Sequence, residues 1–308
     1  MDAETFELKG QWEKDRGPQQ LAYDFWWHLG HDTMITSEWG TPNMVKDGVN
    51  PELLLGGKVR PQAARLGSGQ RGATCRISTS APSNRWCSNC GPPRSDEDLR
   101  VRRRGRIAQG SLCVDLDVVP RRTAGKNGKW AVRKVIEIPA EPADPARSAA
   151  TAPGLQGACR RWCTDINLSL DDRFLYVSCW GTGEFIQYDV SDPANPKKTG
   201  SVHLGGIVRR AAHPKNPKQP LNGGPQMVEI SRDGKRVYFT NSLYSPWDEQ
   251  FYPDGVKELD GEGRRRPEGR DEARREVLCS SSTVLRAHQV RLEGGDASSD
   301  SYCYSDAR

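Results

Sequence analysis

Ser169-Leu170-Asp171-Asp172-Arg173-Phe174-Leu175-Tyr176-Val177-Ser178 and Ser231-Arg232-Asp233-Gly234-Lys235-Arg236-Val237-Tyr238-Phe239-Thr240 are one pattern written twice, 62 residues apart. In each copy a polar turn feeds an apolar strand, and an aromatic follows: Trp180 after the first, Tyr244 and Trp247 after the second. The first copy runs on through Gly181-Thr182-Gly183-Glu184 into Phe185-Ile186-Gln187-Tyr188-Asp189-Val190, the sequence of a hairpin partner. A looser third copy is Trp26-Trp27-His28-Leu29-Gly30-His31-Asp32-Thr33-Met34-Ile35-Thr36-Ser37. Antiparallel hairpins recurring at a period of tens of residues predict an all-β protein of propeller blades, against the alternative of a sandwich whose copies match by chance.

Working outward, three stretches read as β-structure with strong turn signals: Thr5 to Pro51, Lys129 to Pro139 and Thr164 to Gly255. Three others have the composition of irregular or charged loops: Val59 to Ala124, Ala158 to Cys163 and Lys257 to Leu285. The organisation expected is therefore a blade segment over 1–58, an irregular basic segment over 59–124, blades over 125–256, a charged irregular segment over 257–285 and a terminal strand segment over 286–308. With 31 glycines and 21 prolines in 308 residues and 28% charged side chains, the chain is turn-rich and polar. That composition excludes a transmembrane helix, a collagen repeat and a coiled coil.

The net charge of +5 is concentrated in one place. Between Gly57 and Ala124 there are 14 Lys and Arg against 5 Asp and Glu, which leaves the remainder mildly acidic. Val101-Arg102-Arg103-Arg104-Gly105-Arg106 brings neither helical periodicity nor interleaved aromatics, so nucleic-acid binding is not expected. Met1-Asp2-Ala3-Glu4-Thr5 leads into Phe6-Glu7-Leu8-Lys9-Gly10 without a basic, then apolar, leader. A cytoplasmic setting is the default, and a periplasmic one stays open for a longer parent.

Further motifs carry a specific resemblance. Tyr23-Asp24-Phe25-Trp26, Ser37-Glu38-Trp39, Lys46-Asp47-Gly48-Val49-Asn50-Pro51, Leu168 to Tyr176, Gly223-Gly224-Pro225-Gln226-Met227, Trp247-Asp248-Glu249-Gln250-Phe251-Tyr252-Pro253-Asp254, Ala287-His288-Gln289-Val290-Arg291-Leu292 and Gly294 to Asp300 are similar to the selenium-binding protein family, whose members include methanethiol oxidases. The resemblance implies a seven-bladed β-propeller with WD40-like blades, present here as an incomplete ring. It implies copper-dependent oxidation of methanethiol by oxygen and water to formaldehyde, hydrogen sulfide and hydrogen peroxide, a step of sulfur metabolism, with selenium association in some members. The chain resembles only the C-terminal part of the family, which implies a truncated, inactive copy. Two other classes stand beside this reading: a non-enzymatic propeller fragment acting as a protein-interaction module, and a basic binding protein with Val59 to Ala124 as its arm.

The irregular segments can be turned back toward the family by a change of reading frame. With permitted codons, Val59 to Arg71 overlaps YGHRLHVWDLA and Arg106 to Arg121 overlaps ASLKDLCVSIWMWYR. Ser80 to Pro92 overlaps GAEQQMVLELRP, and Ala158 to Cys163 overlaps a frame containing LPPLV. Small insertions or deletions in the coding DNA are the expectation this raises.

That expectation sorts the nine cysteines. Cys87-Ser88-Asn89-Cys90 has CxxC spacing, yet no second pair follows at zinc-ligand distance. Cys75, Cys87, Cys90, Cys113, Cys159, Cys163 and Cys279 lie in the irregular segments, where their spacing reads as accidental; Cys179 and Cys303 read as structural. Disulfides are not expected in a reducing compartment. Of the histidines, His203 and His213 read as solvated loop residues. The resemblance places His31 and His288 at strand edges facing a propeller's central channel. Imidazole suits copper, and a redox metal accounts for oxygen chemistry that side chains do not perform unaided. His31, Glu38 and His288 are therefore the expected metal residues, with Asp296 and Asp300 holding a turn or supporting the site.

Overall fold

The computed structural model describes residues 1–2, 4–10, 22–28, 33–38, 42–48, 50, 63–67, 73–77, 104–109, 112–117, 131–139, 141–142, 158–159, 162–171, 173–207, 211–213, 216–252, 255–256, 260–265, 271–278 and 288. The two copies of the repeat make the same turn with the same atoms. Ser169 Oγ donates to Asp171 Oδ1 (2.6 Å) and accepts from the Phe174 amide (2.9 Å). Ser231 Oγ likewise donates to Asp233 Oδ1 (2.6 Å) and accepts from the Arg236 amide (3.1 Å). Gly234 closes the second turn at φ +67°, a conformation glycine adopts without steric cost. A Ser-x-Asp turn of this kind satisfies backbone donors locally and starts the next strand in register.

The strands pair mostly with their chain neighbours, as short turns dictate. In chain order, β1 (Ala22–His28), β2 (Thr33–Glu38), β3 (Ala63–Gly67) and β4 (Ala73–Ile77) form a four-stranded antiparallel sheet. β5 (Arg104–Gln109), β6 (Leu112–Asp117) and β7 (Ala131–Glu137) form a three-stranded one, and β8 (Glu141–Pro142) pairs with β9 (Ala158–Cys159). β10 (Cys163–Leu168), β11 (Phe174–Cys179), β12 (Glu184–Asp189) and β13 (Lys197–His203) make the next four-stranded sheet. After the pair β14 (Ala211–His213) and β15 (Asn216–Leu221) comes a third four-stranded sheet: β16 (Val228–Ile230), β17 (Arg236–Phe239), β18 (Asp260–Arg265) and β19 (Asp271–Leu278). A four-stranded antiparallel meander is the blade unit of a propeller, and among the described residues three such sheets occur in order.

The core lies between two of these sheets. Phe174, Tyr176, Phe185, Leu204, Leu221, Val228, Ile230, Val237 and Phe239 form one buried cluster, with Phe185 stacked on Phe239 at 4.7 Å between ring centroids. Each such side chain contributes about 1.5–3 kcal/mol by leaving water. Polar bonds set the docking of the two sheets. Asp165 Oδ2 accepts from the Val228 amide (2.6 Å) while Asn167 Nδ2 donates to the Val228 carbonyl (3.0 Å), so β10 grips both sides of one residue of β16. Thr164 Oγ1 adds a bond to the Pro225 carbonyl (3.3 Å). Gly224 must be glycine here, because a Cβ would lie 2.0 Å from the Trp180 carbonyl oxygen.

Strands also occur within stretches whose composition reads as irregular. The irregular basic segment 59–124 contains β3 to β6, the charged irregular segment 257–285 contains β18 and β19, and the Ala158 to Cys163 stretch contains β9 and the first residue of β10. A ladder asks only for backbone donors and acceptors, and β2 and β17 each present an edge to the chain that follows. In β18 and β19 the register also sets Arg264 opposite Glu272, Arg265 opposite Asp271 and Glu262 opposite Arg274, a favourable placing of opposite charges. A composition average hides that alternation. Two helices interrupt stretches read as β: α1 (Pro42–Lys46) and α2 (Ser245–Phe251), both begun by a proline at their N-terminal turn, where its missing amide costs nothing. Of the terminal segment 286–308, only residue 288 is among those described.

Candidate functional site

The end of β17 carries one expected metal residue. Thr240 Oγ1 accepts from the Met227 amide (3.2 Å) and donates to the His288 carbonyl (2.9 Å), fastening the backbone of residue 288 to the second repeat. The imidazole of His288 is exposed and stacks on Tyr244 at 5.9 Å between centroids. Glu38 is the last residue of β2, opposite Ala22. The Glu38 side chain and the whole of His31, Asp296 and Asp300 lie outside the described residues. The described geometry thus places His288 but does not assemble it with Glu38 or His31.

Behind His288 stands an aromatic wall that joins the two repeats. Tyr244 packs edge-on to Trp247 (6.4 Å), Trp247 to Trp180 (6.5 Å), and Trp162 lies against Trp180 (5.8 Å) and Phe251 (4.8 Å). Tyr252 completes it, its hydroxyl donating to the Trp180 carbonyl (3.3 Å). The helix that presents Trp247 and Phe251 is held at its start by Asp248, fully buried, which accepts from the Ser242 hydroxyl (2.5 Å) and the Leu243 amide (3.2 Å). A carboxylate in the first helical turn is favoured by the helix dipole. The aromatics that follow each repeat are therefore not separate features but one shared surface.

A second donor group forms away from this wall. Glu184 and His203 face each other across β12 and β13, and Glu141 of β8 joins them, the nearest ligand atoms of all three lying within 4.8 Å of one another. Among the described residues this is the only trio with metal-ligating spacing. Its two carboxylates and one imidazole suit a borderline or hard divalent ion better than a soft one. Lys198 already holds Glu184, its Nζ 2.5 Å from Oε1, so an ammonium competes for that oxygen. Here the sequence reading of His203 as a solvated loop residue is corrected: it ends β13 and is half-buried. His213 ends β14. Neither Glu184, read as the end of the turn before the hairpin partner, nor Glu141, far away in the chain, gave a signal in the sequence. The cysteine sorting changes too, since Cys75, Cys113, Cys159 and Cys163 lie on β4, β6, β9 and β10 rather than in irregular stretches, and Cys163 is buried.

Comparison with known proteins places these features in a family. The model of the 56 kDa selenium-binding protein family (SBP56) matches residues 1–62 and 114–303, passing over 63–113 within the basic segment. Methanethiol oxidase from Homo sapiens is 34% identical over 327 aligned residues, covering 97% of this chain and 64% of its own length. Selenium-binding protein 2 from Mus musculus is 35% identical with the same coverage. The chain thus spans a little under two thirds of the curated relatives it matches. Among solved structures, a hypothetical selenium-binding protein from Sulfolobus tokodaii superposes with a TM-score of 0.80 at 41% identity, over 99% of this chain and 65% of that one. The family-model match over most of the sequence, with the relatives that share its name, makes this chain a member of the 56 kDa selenium-binding protein family.

Proposed function

We propose that the chain carries the C-terminal blades of a seven-bladed methanethiol oxidase propeller, and that by itself it does not turn over. The observation carrying this reading is the family match on both sides of residues 63–113, together with relatives named methanethiol oxidase at 34% identity. The reaction proposed for the parent consumes methanethiol, dioxygen and water in equal amounts and releases formaldehyde, hydrogen sulfide and hydrogen peroxide in the same ratio. Copper, the group that would supply the oxygen chemistry when bound, belongs to the same proposal, with His31, Glu38 and His288 as donors. Because those donors are not assembled among the described residues, no step is derived through the metal. What this chain's residues offer is an exposed imidazole stacked on Tyr244, which in turn packs against the buried Trp247.

The inactivity has a physical argument. A propeller site is built from several blades, and the match covers 64% of the human methanethiol oxidase, so the uncovered remainder has ample room for missing ligands. Resequencing the locus well upstream of Met1 and beyond Arg308 is the deciding experiment, followed by copper loading and methanethiol turnover of both forms. Single-base corrections that restore a continuous frame, with hydrogen sulfide released only by the restored protein, are the expected result. Copper-dependent hydrogen sulfide release from the chain as it stands overturns it, whereas confirmation of the present frame overturns only the frame correction and leaves a degenerate fragment from which no oxidase activity is expected.

A further inference from the structure

We infer that, in the chain as it stands in its present reading frame, Cys163 and Cys179 are a site of covalent modification: a cross-strand disulfide, made by exchange with a small disulfide of the glutathione type, that locks the β10–β11 hairpin of the first complete repeat. The two residues are direct partners in the β10–β11 ladder, and their sulfurs lie 3.7 Å apart as free thiols. The ladder itself brings them together. Between Cys163 and Asp165 the register slips, so that Thr164 becomes the extra residue of a bulge and turns to the Pro225 carbonyl. Without that slip, Thr164 and not Cys163 would oppose Cys179. Beside the pair, the Trp180 amide donates to the Trp162 carbonyl (3.0 Å), the bond that brackets a non-hydrogen-bonded position. At such positions the α-carbons stand about 4.5 Å apart and the side chains approach most closely. That separation falls within the range of about 4.4–6.8 Å that a disulfide spans, so closing the sulfurs needs side-chain rotation and no strand movement.

Burial decides when the bond can form. Cys163 is 4% exposed and Cys179 not at all. A tripeptide disulfide does not reach them in the closed blade, so exchange takes place while β10 and β11 are still assembling, and the finished core then shields the product from reductant. In the first step the Cys179 thiolate attacks one sulfur of the small disulfide, forming a mixed disulfide and releasing one thiolate. In the second the Cys163 thiolate attacks the protein sulfur of that bond and releases the other. Two protein thiols are oxidised, one small disulfide is reduced to two thiols, and the two protons pass to those thiols.

The full chain is reduced and denatured, refolded in a glutathione redox buffer, alkylated and mapped by non-reducing peptide mass spectrometry. A second sample, purified reduced and never unfolded, is incubated with oxidised glutathione alone. Expected in the first is a peptide pair joined through Cys163 and Cys179, two mass units lighter than the reduced pair. Cys163→Val and Cys179→Val should each abolish it. The oxidised form should unfold about 5 °C or more above the reduced form, an advantage erased by reductant in denaturant. In the second sample the same pair should appear at least tenfold more slowly. Recovery of both cysteines as free thiols in each sample, or their linkage to other cysteines in place of one another, overturns the inference. Should refolding fail, the second sample still decides it, through the joined pair or its absence after prolonged incubation at the edge of the unfolding transition.

Discussion

Asp165 shows how much one side chain contributes to the arrangement of whole sheets. Its carboxylate is 1% exposed and accepts from two amides, Ile166 within its own strand (2.8 Å) and Val228 across the sheet boundary (2.6 Å). An amide in its place can accept at one oxygen only, leaving an amide hydrogen facing another donor. Asp165→Asn should therefore destabilise the chain by about 2 kcal/mol, read as a lowered urea midpoint at unchanged slope. Asp233 acts locally and through its charge. The Ser231 hydroxyl first, and the Lys235 amide next, hold its carboxyl below the ordinary value of 3.8 against a smaller desolvation cost. Since the unfolded chain takes up a proton at higher pH than the folded one, this group's stabilisation is present above the ordinary value and is lost as pH falls through the lowered one. Ser231→Ala should shift the Asp233 titration upward in carboxyl-carbon NMR and make the turn less sensitive to acid; an unmoved midpoint would show that the hydroxyl is not the cause.

At the scale of elements, the repeat was the most legible feature of the sequence, because its Ser-x-Asp turn is closed by side-chain bonds that reach no more than five residues along the chain. Both turns, and the strands they start, occur where the pattern places them. The charged strands β18 and β19 were not legible, since their pairing depends on register, which no local composition reveals. The two helices escaped notice for a related reason: Ser245 to Phe251 is rich in aromatics that suit a strand, and the buried Asp248 contacts that favour the helix come from residues folded back against it. Close approach between elements leaves one sequence trace, glycine. Gly223-Gly224-Pro225 looks like a turn, but Gly224 is there to let β16's approach segment pass over the Trp180 backbone. Gly224→Ala should lower the thermal midpoint and quench or shift the tryptophan emission of the aromatic wall, while Gly200→Ala, where a Cβ meets nothing within 4 Å, should leave both close to wild type.

For the whole molecule, burial is unevenly distributed along the chain. The buried apolar side chains among the described residues run from Ile136 to Tyr252, and the largest fully buried ones, Trp180, Trp247, Tyr176 and Phe174, belong to the two repeats and the wall between them. The candidate residues divide in the same way: His288 was singled out by its motif and its backbone is fastened to that core, whereas Glu141, Glu184 and His203 come together only through folding. Blade-like units that pack on their neighbours can hold local structure without the full ring, because each interface contributes on its own. The interface between the sheets of β10–β13 and β16–β19 has an apolar cluster, the Val228 grip and the aromatic wall, so it should open last. Limited digestion with thermolysin, which cuts at apolar residues and so is not drawn to the basic segment, should leave a long-lived fragment containing 162–252 after cuts elsewhere in the chain. Asp165→Asn should shorten the lifetime of that fragment by roughly tenfold or more, as its stability loss requires when cleavage follows opening. Equal cleavage inside and outside 162–252 would mean that the two repeats do not form a cooperative unit without the rest of a closed ring.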